Sequence, residues 1–351
     1  MSNLIQQMIP VSPDMRHFLA LHGFEEAELE PIPSDASPRR YFRLTGLNRL
    51  LMVDRADKDS LRAYIKIADY LNSVNVSAPT VYAHDYDNGL AIIEDFGDGT
   101  YTNRLAQGHS EKDLYVLAID ALLHLHRQPC ESDISLPEYD IHVLLDEVDI
   151  FSDWFAPAVA PELDREKFKA AFRQCWETAL APLANNVKTL VLRDFHVDNL
   201  MYLPDKEGVE RCGVLDFQDA ILGACEYDLV SLLQDARRDL TPGLESYLLS
   251  YYIENAAPSL GSENDIRTRY ALLGAQRHAR ILGVFTRLYI RDGKPRYLDF
   301  IPRVLKQFLQ ASRDANLHQL SELLEESMPG WSSSALNLSA TSSTKNGVSD
   351  V

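Results

Sequence analysis

Two short polar segments in the second half of the chain constrain its fold more than any other feature. The first carries Asp194 and, five residues later, Asn199. The second carries Asp216 at the end of an apolar run. Carboxylate and amide oxygens are suited to accepting a proton or binding a hard cation. The same residue types are common in ordinary loops, so the residues by themselves leave a structural and a functional interpretation open.

The stretch between these segments has the pattern of a β-hairpin. Short apolar runs at 200–203 and 212–215 flank turn-forming residues at 204–208. In an antiparallel hairpin, the residue before the first strand lies beside the residue after the second. We therefore expect Asn199 and Asp216 to be neighbours in the folded protein.

The three polar side chains together match what phosphoryl transfer from ATP requires. Asp194, on the loop that enters the hairpin, would accept the proton of the acceptor hydroxyl. Asn199 and Asp216 would hold Mg²⁺ against the phosphates, since this cation prefers oxygen ligands. The sequence therefore predicts ATP and Mg²⁺ as cofactors.

The charge of the chain limits its partners. Its 351 residues include 34 Lys and Arg against 52 Asp and Glu, which gives a net charge of −18. Such an acidic chain is poorly suited to binding nucleic acid or an anionic membrane. No window has about 18 uninterrupted apolar residues, and the first residues lack the pattern of a signal peptide. We expect a cytoplasmic monomer that acts on a small molecule.

The order of predicted elements indicates an α+β protein with two lobes, like the bilobal protein-kinase-like fold. Strands are predicted at 40–44, 50–53, 81–83 and 90–93. A helix beginning at Ser60 separates the first pair from the second, and helical periodicity dominates after residue 97. We predict a small antiparallel-sheet N-lobe at 1–96, a mostly helical C-lobe at 97–330 and a disordered tail at 331–351.

The segment Glu94–Gly97 would link the two lobes. Its extended backbone could offer N–H and C=O groups to an adenine edge. Glu94 and Phe96 are therefore candidate ATP-binding residues. A plain interdomain turn is the alternative interpretation.

The sequence resembles the aminoglycoside phosphotransferase family, whose fold is that of the protein kinases. The matching segments are Arg193–Asn199, Leu215–Phe217 and Tyr227–Leu229. Further matches make the chain similar to the bacterial anomeric amino-sugar kinases of cell-wall recycling. These matches lie at residues 37–43, 216–220, 227–233 and 274–298.

That resemblance implies phosphorylation of N-acetylmuramate and N-acetylglucosamine at the C1 hydroxyl by ATP. It implies that Asp194 is the catalytic base and that Asn199 and Asp216 are the Mg²⁺ ligands. Asp228 would be a structural carboxylate near the catalytic loop. The loop departs from the broader family at Leu192, where many members have His.

The part of the site that would bind phosphate departs further from the family pattern. No Gly-rich phosphate loop is present in the sequence, and residues 34–40 stand in its place. Backbone and Ser N–H groups of this segment, together with Arg39 or Arg40, could hold a phosphate, because Arg matches phosphate oxygens. The usual lysine of the third strand has no obvious counterpart. We predict a charge-swapped pair of Asp54 with Lys66, which leaves Lys66 or one of the arginines to reach the phosphates. Exposed side chains without a ligand are the alternative.

A basic stripe near the C-terminal end of the chain bears on the acceptor. Residues 277–306 contain eight Lys and Arg and two acidic residues. Such a stripe suits an anionic acceptor, for example a sugar with a carboxylate, and disfavours a polycationic aminoglycoside. Arg277 and Arg280 are candidate acceptor-binding residues, together with His196 of the catalytic loop. A solvated basic face, and a bracing role for His196, are the alternatives.

Other functions stay open from the sequence. The same chemistry could act on an antibiotic or a choline-like metabolite. A pseudokinase that binds nucleotide without turnover would explain the missing lysine and Gly-rich loop. A metal hydrolase built from Asp194, His196 and Asp198 is disfavoured, because these residues lack the usual spacing of zinc ligands.

Overall fold

The chain forms two compact units. The computed structural model describes residues 11–33, 39–55, 58–128, 136–185 and 187–345. The sheet unit comprises residues 1–134 and 197–220, and the helical unit comprises residues 135–196 and 221–351. This grouping differs from the predicted boundary after residue 96, because the hairpin after Asn199 and the helices up to residue 126 group with the sheet.

The sheet unit is built on five antiparallel strands in the order β1-β2-β3-β5-β4. The strands are β1 (Leu29–Ile32), β2 (Arg40–Leu44), β3 (Arg49–Val53), β4 (Val81–Asp85) and β5 (Leu90–Glu94). The helices are α1 (Pro13–Leu21), α2 (Lys58–Ser73), α3 (Tyr101–Ala106) and α4 (Glu111–His126). The predicted order of strand, strand, helix, strand and strand is confirmed for β2 to β5. The prediction missed α1 and the half-exposed edge strand β1.

Helix α2 packs on the sheet through an apolar stripe. Leu61, Ile65, Ala68 and Leu71 are all buried and recur at helical spacing. Lys66 lies outside this stripe and is exposed. The helix therefore presents its apolar side to the sheet and Lys66 to solvent.

The hairpin predicted between the polar segments is confirmed. Strands β7 (Leu200–Tyr202) and β8 (Cys212–Val214) pair antiparallel, with Leu200 opposite Val214. The N–H of Leu215 donates to the carbonyl oxygen of Asn199 at 2.9 Å. The register therefore brings Asn199 and Asp216 to the same end of the hairpin.

The helical unit surrounds the 28-residue helix α10 (Glu263–Ile290). Its two-stranded sheet is β6 (Thr189–Val191) with β9 (Ile221–Gly223). Its helices are α5 (Ile141–Ile150), α6 (Ala156–Val159), α7 (Arg165–Leu180), α8 (Glu226–Leu233), α9 (Leu244–Asn255), α10 (Glu263–Ile290), α11 (Ile301–Asp314), α12 (His318–Ser327) and α13 (Trp331–Lys345). A π-helical segment, Phe151–Phe155, continues α5. Among the helices in the described ranges, none is long and apolar enough to cross a bilayer.

Helix α13 corrects the prediction of a disordered tail from residue 331. Trp331 is only 4% exposed and makes edge contacts with the rings of Phe151, Phe155 and Phe308. One large aromatic side chain thus anchors a segment whose Ser- and Thr-rich composition suggested disorder. Residues 346–351 lie outside the described residues.

Replacing Gly283 by Ala is expected to destabilise the helical unit. A Cβ at this position of α10 would lie 2.5 Å from the carbonyl of Ile150 in α5. Relieving that overlap should lower the free energy of unfolding by about 2 kcal/mol, despite the better helix propensity of Ala. Chemical denaturation measures the change. Gly274→Ala in the same helix is the comparator, because the nearest atoms to its added Cβ belong to side chains instead of backbone, namely Oε1 of Gln234 at 3.0 Å and Cβ of Ala311 at 3.3 Å. Equal stability of the two variants would contradict the expectation.

Candidate active site

A cavity of about 350 Å³ lies within the sheet unit. Its apolar walls are formed by Ile32, Leu50, Ile93, Met201 and Leu215. Phe96 and Gly97 line it as well, and so do Asn199 and Asp216. The cavity therefore combines apolar walls, suited to a planar ring, with oxygen ligands suited to a hard cation.

The linker after β5 has a defined shape. Asp95 forms an ion pair with Arg43 at 2.5 Å and accepts the N–H of Gly97 at 2.8 Å. Gly97 adopts a φ of +75°, a conformation that glycine reaches without strain. Glu94 and Phe96, predicted to contact ATP, both line the cavity. Their contact with an adenine stays a prediction.

The end of the cavity formed by the hairpin carries the predicted metal ligands. Asp216 adopts a left-handed φ of +58°, and its Oδ1 accepts a hydrogen bond from Nε2 of Gln218 at 3.0 Å. Strained residues of this kind often occur at functional sites. No group of three or more His, Cys, Asp or Glu side chains in the described parts of the chain is placed to bind a metal. Asn199 and Asp216 fit a Mg²⁺ ion that takes its other ligands from phosphate oxygens and water.

Arg39 forms the main polar connection behind this end of the cavity. Its guanidinium donates to Asp54 at 3.0 Å, to Ser60 of α2 at 2.7 Å and to Gln218 at 2.8 Å. Arg39 and Asp54 are both buried. Because Gln218 also donates to Asp216, the sheet, α2 and the predicted metal ligand are joined by one chain of hydrogen bonds.

The predicted pair of Asp54 with Lys66 is wrong. Asp54 is paired with Arg39 instead, and Lys66 is on the exposed side of α2. The physical reason is the helical period, which directs Ser60, rather than position 66, towards Arg39. Arg40 lies on β2, where its side chain donates to the carbonyl of Arg39 at 3.2 Å. Residues 34–38, predicted to replace a Gly-rich loop, lie outside the described residues.

In the helical unit, Asp228 holds the backbone that precedes Asp194. This fully buried carboxylate on α8 accepts the N–H of Leu192 at 2.7 Å and the N–H of Arg193 at 2.8 Å. Arg193 adopts a φ of +71°, which is unfavourable for a residue with a side chain. The geometry agrees with the structural role predicted for Asp228.

Asp194 lies among cations in the helical unit. The Nη2 atom of Arg277 is 3.9 Å from Oδ1 of Asp194 and donates to Oγ of Ser231 at 2.7 Å. The Asp194 side chain keeps 45% of its surface exposed, so a ligand can reach it. Desolvation raises the pKa of Asp194, but Arg277, His196 and Arg280 lower it more, and the net pKa is below its ordinary value. Asp194 is therefore ionised at neutral pH and can accept a proton.

His196 and Arg280 have different surroundings. His196 is buried, and burial is the main reason that its pKa is lowered. Arg280 is partly exposed, and its Nε lies 3.4 Å from the carboxylate of Glu147. Arg280, like Arg277, helps to lower the pKa of Asp194. Contact of these side chains with an acceptor stays a prediction.

The sequence interpretation missed three residues that organise these groups. Gln218 connects Arg39 to Asp216, Ser231 holds Arg277, and Glu147 binds Arg193 and Arg280. A signal existed for Glu147, because it lies on the same face of α5 as the buried residues Leu144 and Val148. An acidic residue on an apolar helix face indicates a buried polar partner.

The antiparallel sheet, its cavity and the loop of Asp194 define a protein-kinase-like phosphotransferase. Residues 28–261 match the phosphotransferase enzyme family, abbreviated APH. The chain belongs to this family.

Several relatives span most of the chain. An N-acetylmuramate/N-acetylglucosamine kinase of Caulobacter vibrioides is 37% identical over 313 residues, covering 86% of this chain and 83% of the relative. A kinase of the same name from Neisseria meningitidis serogroup B is 38% identical over 307 residues, covering 84% of this chain and 88% of the relative.

Solved structures with the same fold include the ADP-bound aminoglycoside phosphotransferase APH(2'')-Ib. Its TM-score is 0.58 at 18% identity, covering 88% of this chain and 99% of that chain. A choline/ethanolamine kinase family protein from Mesorhizobium loti gives a TM-score of 0.56 at 14% identity. The match covers 93% of this chain and 98% of that chain. At sequence identities this low, the structural similarity shows that the fold is shared.

Proposed function

We propose that this protein transfers the γ-phosphoryl group of ATP to the anomeric hydroxyl of an N-acetylated amino sugar, N-acetylmuramate or N-acetylglucosamine. The observation that carries the proposal is the cavity of the sheet unit that contains Asn199 and Asp216, with Asp194 five residues before Asn199 in the chain. The names of four relatives, each covering at least 84% of this chain, support the choice of acceptor.

The cavity of the sheet unit would bind the nucleotide. The apolar walls would hold the adenine, and the backbone at Glu94 and Phe96 would offer hydrogen bonds to its edge. Asn199 and Asp216 would hold Mg²⁺, which when bound neutralises charge on the phosphates. Arg39 would keep Asp216 in place through Gln218.

Asp194 would accept the proton of the anomeric hydroxyl as that oxygen attacks phosphorus. Its lowered pKa keeps it ionised at neutral pH, so the base is ready without a preceding proton loss. Arg277, only 6% exposed and 3.9 Å from Asp194, would bind acceptor oxygens beside the reacting hydroxyl. Arg280 would add positive potential that suits an acceptor with a carboxylate and disfavours an aminoglycoside.

A direct assay tests the proposed function. The protein is incubated with ATP and Mg²⁺ and either N-acetylmuramate, N-acetylglucosamine, choline or kanamycin, and ADP release is followed. We expect turnover with the N-acetylated sugars, and loss of turnover when the C1 hydroxyl is replaced by a methyl glycoside. Turnover with kanamycin or choline alone would reject the proposed acceptor. Nucleotide binding without turnover on any acceptor would favour the pseudokinase.

A further inference from the structure

Glu147 connects several elements of the helical unit. It lies on α5, is 8% exposed, and accepts hydrogen bonds from the Tyr139 hydroxyl and the Arg193 guanidinium. Nε2 of Gln276 donates to it at 3.2 Å, and Nε of Arg280 is 3.4 Å away. One buried carboxylate thus binds the residue before Asp194 and two residues of α10.

This arrangement matters because the backbone before Asp194 is strained. Arg193 has a φ of +71°, and such a conformation persists only where surrounding contacts hold it. Asp228 holds the N–H of Arg193, while Glu147 holds its guanidinium, which also lies 5.4 Å from the ring centroid of Tyr139. Arg193 is therefore fixed at both its backbone and the end of its side chain.

Glu147 also balances charge near Asp194. Arg193 and Arg280 both contribute to the lowered pKa of Asp194, and Glu147 is paired with both. Without this carboxylate, two arginines would lose their buried anion in the region of Asp194. Removing one partner of a buried pair leaves an uncompensated charge, which favours rearrangement.

We propose that Glu147 is a positioning residue, which fixes Arg193 and thereby sets the orientation of Asp194 for proton transfer. The inference rests on the proposed role of Asp194 as catalytic base. It assigns to Glu147 an effect on the rate of the chemical step, with no direct contact between Glu147 and a substrate.

Glu147→Gln tests this inference, because Gln keeps the volume of the side chain and removes its charge. We expect kcat for sugar phosphorylation to fall by about tenfold to 100-fold, with KM for ATP within about twofold of the wild-type value. Amide hydrogen exchange at 192–194 should become about tenfold faster, because the strained backbone loses one of its supports. Glu147→Asp, which keeps the charge, should recover part of the lost kcat.

Asp146→Asn is the matched control. Asp146 is the preceding residue of α5, and its side chain is 73% exposed and paired with Arg173. We expect this variant to retain wild-type kcat and wild-type exchange at 192–194. Wild-type kcat and exchange in Glu147→Gln would overturn the inference, and so would an equal loss in Asp146→Asn.

The exchange measurement separates this inference from the proposed function. A wild-type protein that phosphorylates no sugar would reject the proposed function only. In that case, faster exchange at 192–194 in Glu147→Gln, but not in Asp146→Asn, would still support Glu147 as the residue that holds the loop. Unchanged exchange would reject that role whatever the activity.

Discussion

Replacing Asp194 by Asn is expected to lower kcat by about 10³-fold, within the range typical of removing a general base. Asn keeps the shape of the side chain but cannot accept the hydroxyl proton. Because Asp194 is not among the residues that line the cavity proposed for the nucleotide, the affinity for ATP should be unchanged. Steady-state ADP release and calorimetric titration with ATP measure the two quantities. If the variant kept a kcat near the wild-type value, Asp194 would not be the catalytic base.

Asp198→Asn provides the control for this substitution. Asp198 lies four residues further along the same segment and is exposed, with its carboxylate accepting the hydroxyl of Thr102. We expect at most a few-fold change in kcat, because the Asp198 carboxylate is bonded to Thr102 of α3 and has no part in the proposed proton transfer. A loss as large as that of Asp194→Asn would show that any acidic residue of the segment matters.

The pH dependence of the wild-type protein gives a further test of the role of Asp194. A base must be ionised to act, so its contribution disappears as the pH falls through its pKa. The pKa of Asp194 is lowered from its ordinary value, which for Asp is about 3.9. We therefore expect no loss of kcat/KM from this group between about pH 5 and 8. An acid limb centred near pH 6 that disappears in Asp194→Asn would contradict this assignment.

The hairpin shows which parts of the site could be predicted from sequence. Its pairing follows from local signals, namely two short apolar runs, a turn and polar residues at both ends. These signals were sufficient to predict that Asn199 and Asp216 lie at the same end, and the register of Leu200 with Val214 confirms it. The periodic helices and the order of β2 to β5 were predictable for the same reason.

The pairing of Arg39 could not be predicted in this way. Asp54 has several cations within reach along the chain, and the choice between Arg39 and Lys66 depends on the rotation of α2 against the sheet. Sequence spacing gives the face of a helix but not which residue of a neighbouring strand meets it. The partners Arg193, in the loop of Asp194, and Gln276, in α10, bind Glu147 through tertiary packing, which sequence spacing does not give either.

The C-terminal segment from residue 331 shows a different limit of prediction from sequence. Composition predicted disorder after residue 330, and most residues of α13 have the small polar side chains behind that prediction. The buried ring of Trp331 outweighs them at the start of the helix, because one large aromatic residue can bury 150–250 Å² or so. Average composition hides a single anchoring residue of this kind.

Replacing Asp216 by Asn is expected to lower kcat by about 10³-fold, since one charged ligand of the predicted Mg²⁺ site is lost and metal assistance is worth several kcal/mol. The fold should be retained, because the Asp216 side chain is exposed and Asn can still accept the hydrogen bond from Gln218. The Mg²⁺ concentration that gives half-maximal activity should rise. ADP release measured across a Mg²⁺ titration tests both effects.

Asp205→Asn is the matched control for the metal ligand, because Asp205 is exposed and lies in the turn at the other end of the same hairpin. It removes the same charge from the same hairpin at a distance from the cavity, so kcat and the Mg²⁺ requirement should stay at wild-type values. If Asp216→Asn lowered kcat but left the Mg²⁺ requirement unchanged, Asp216 would act on the reaction by another route, and the predicted metal site would be wrong. A rise in the Mg²⁺ requirement confined to Asp216→Asn would instead support a metal bound at the open end of the hairpin, where the sequence first predicted it.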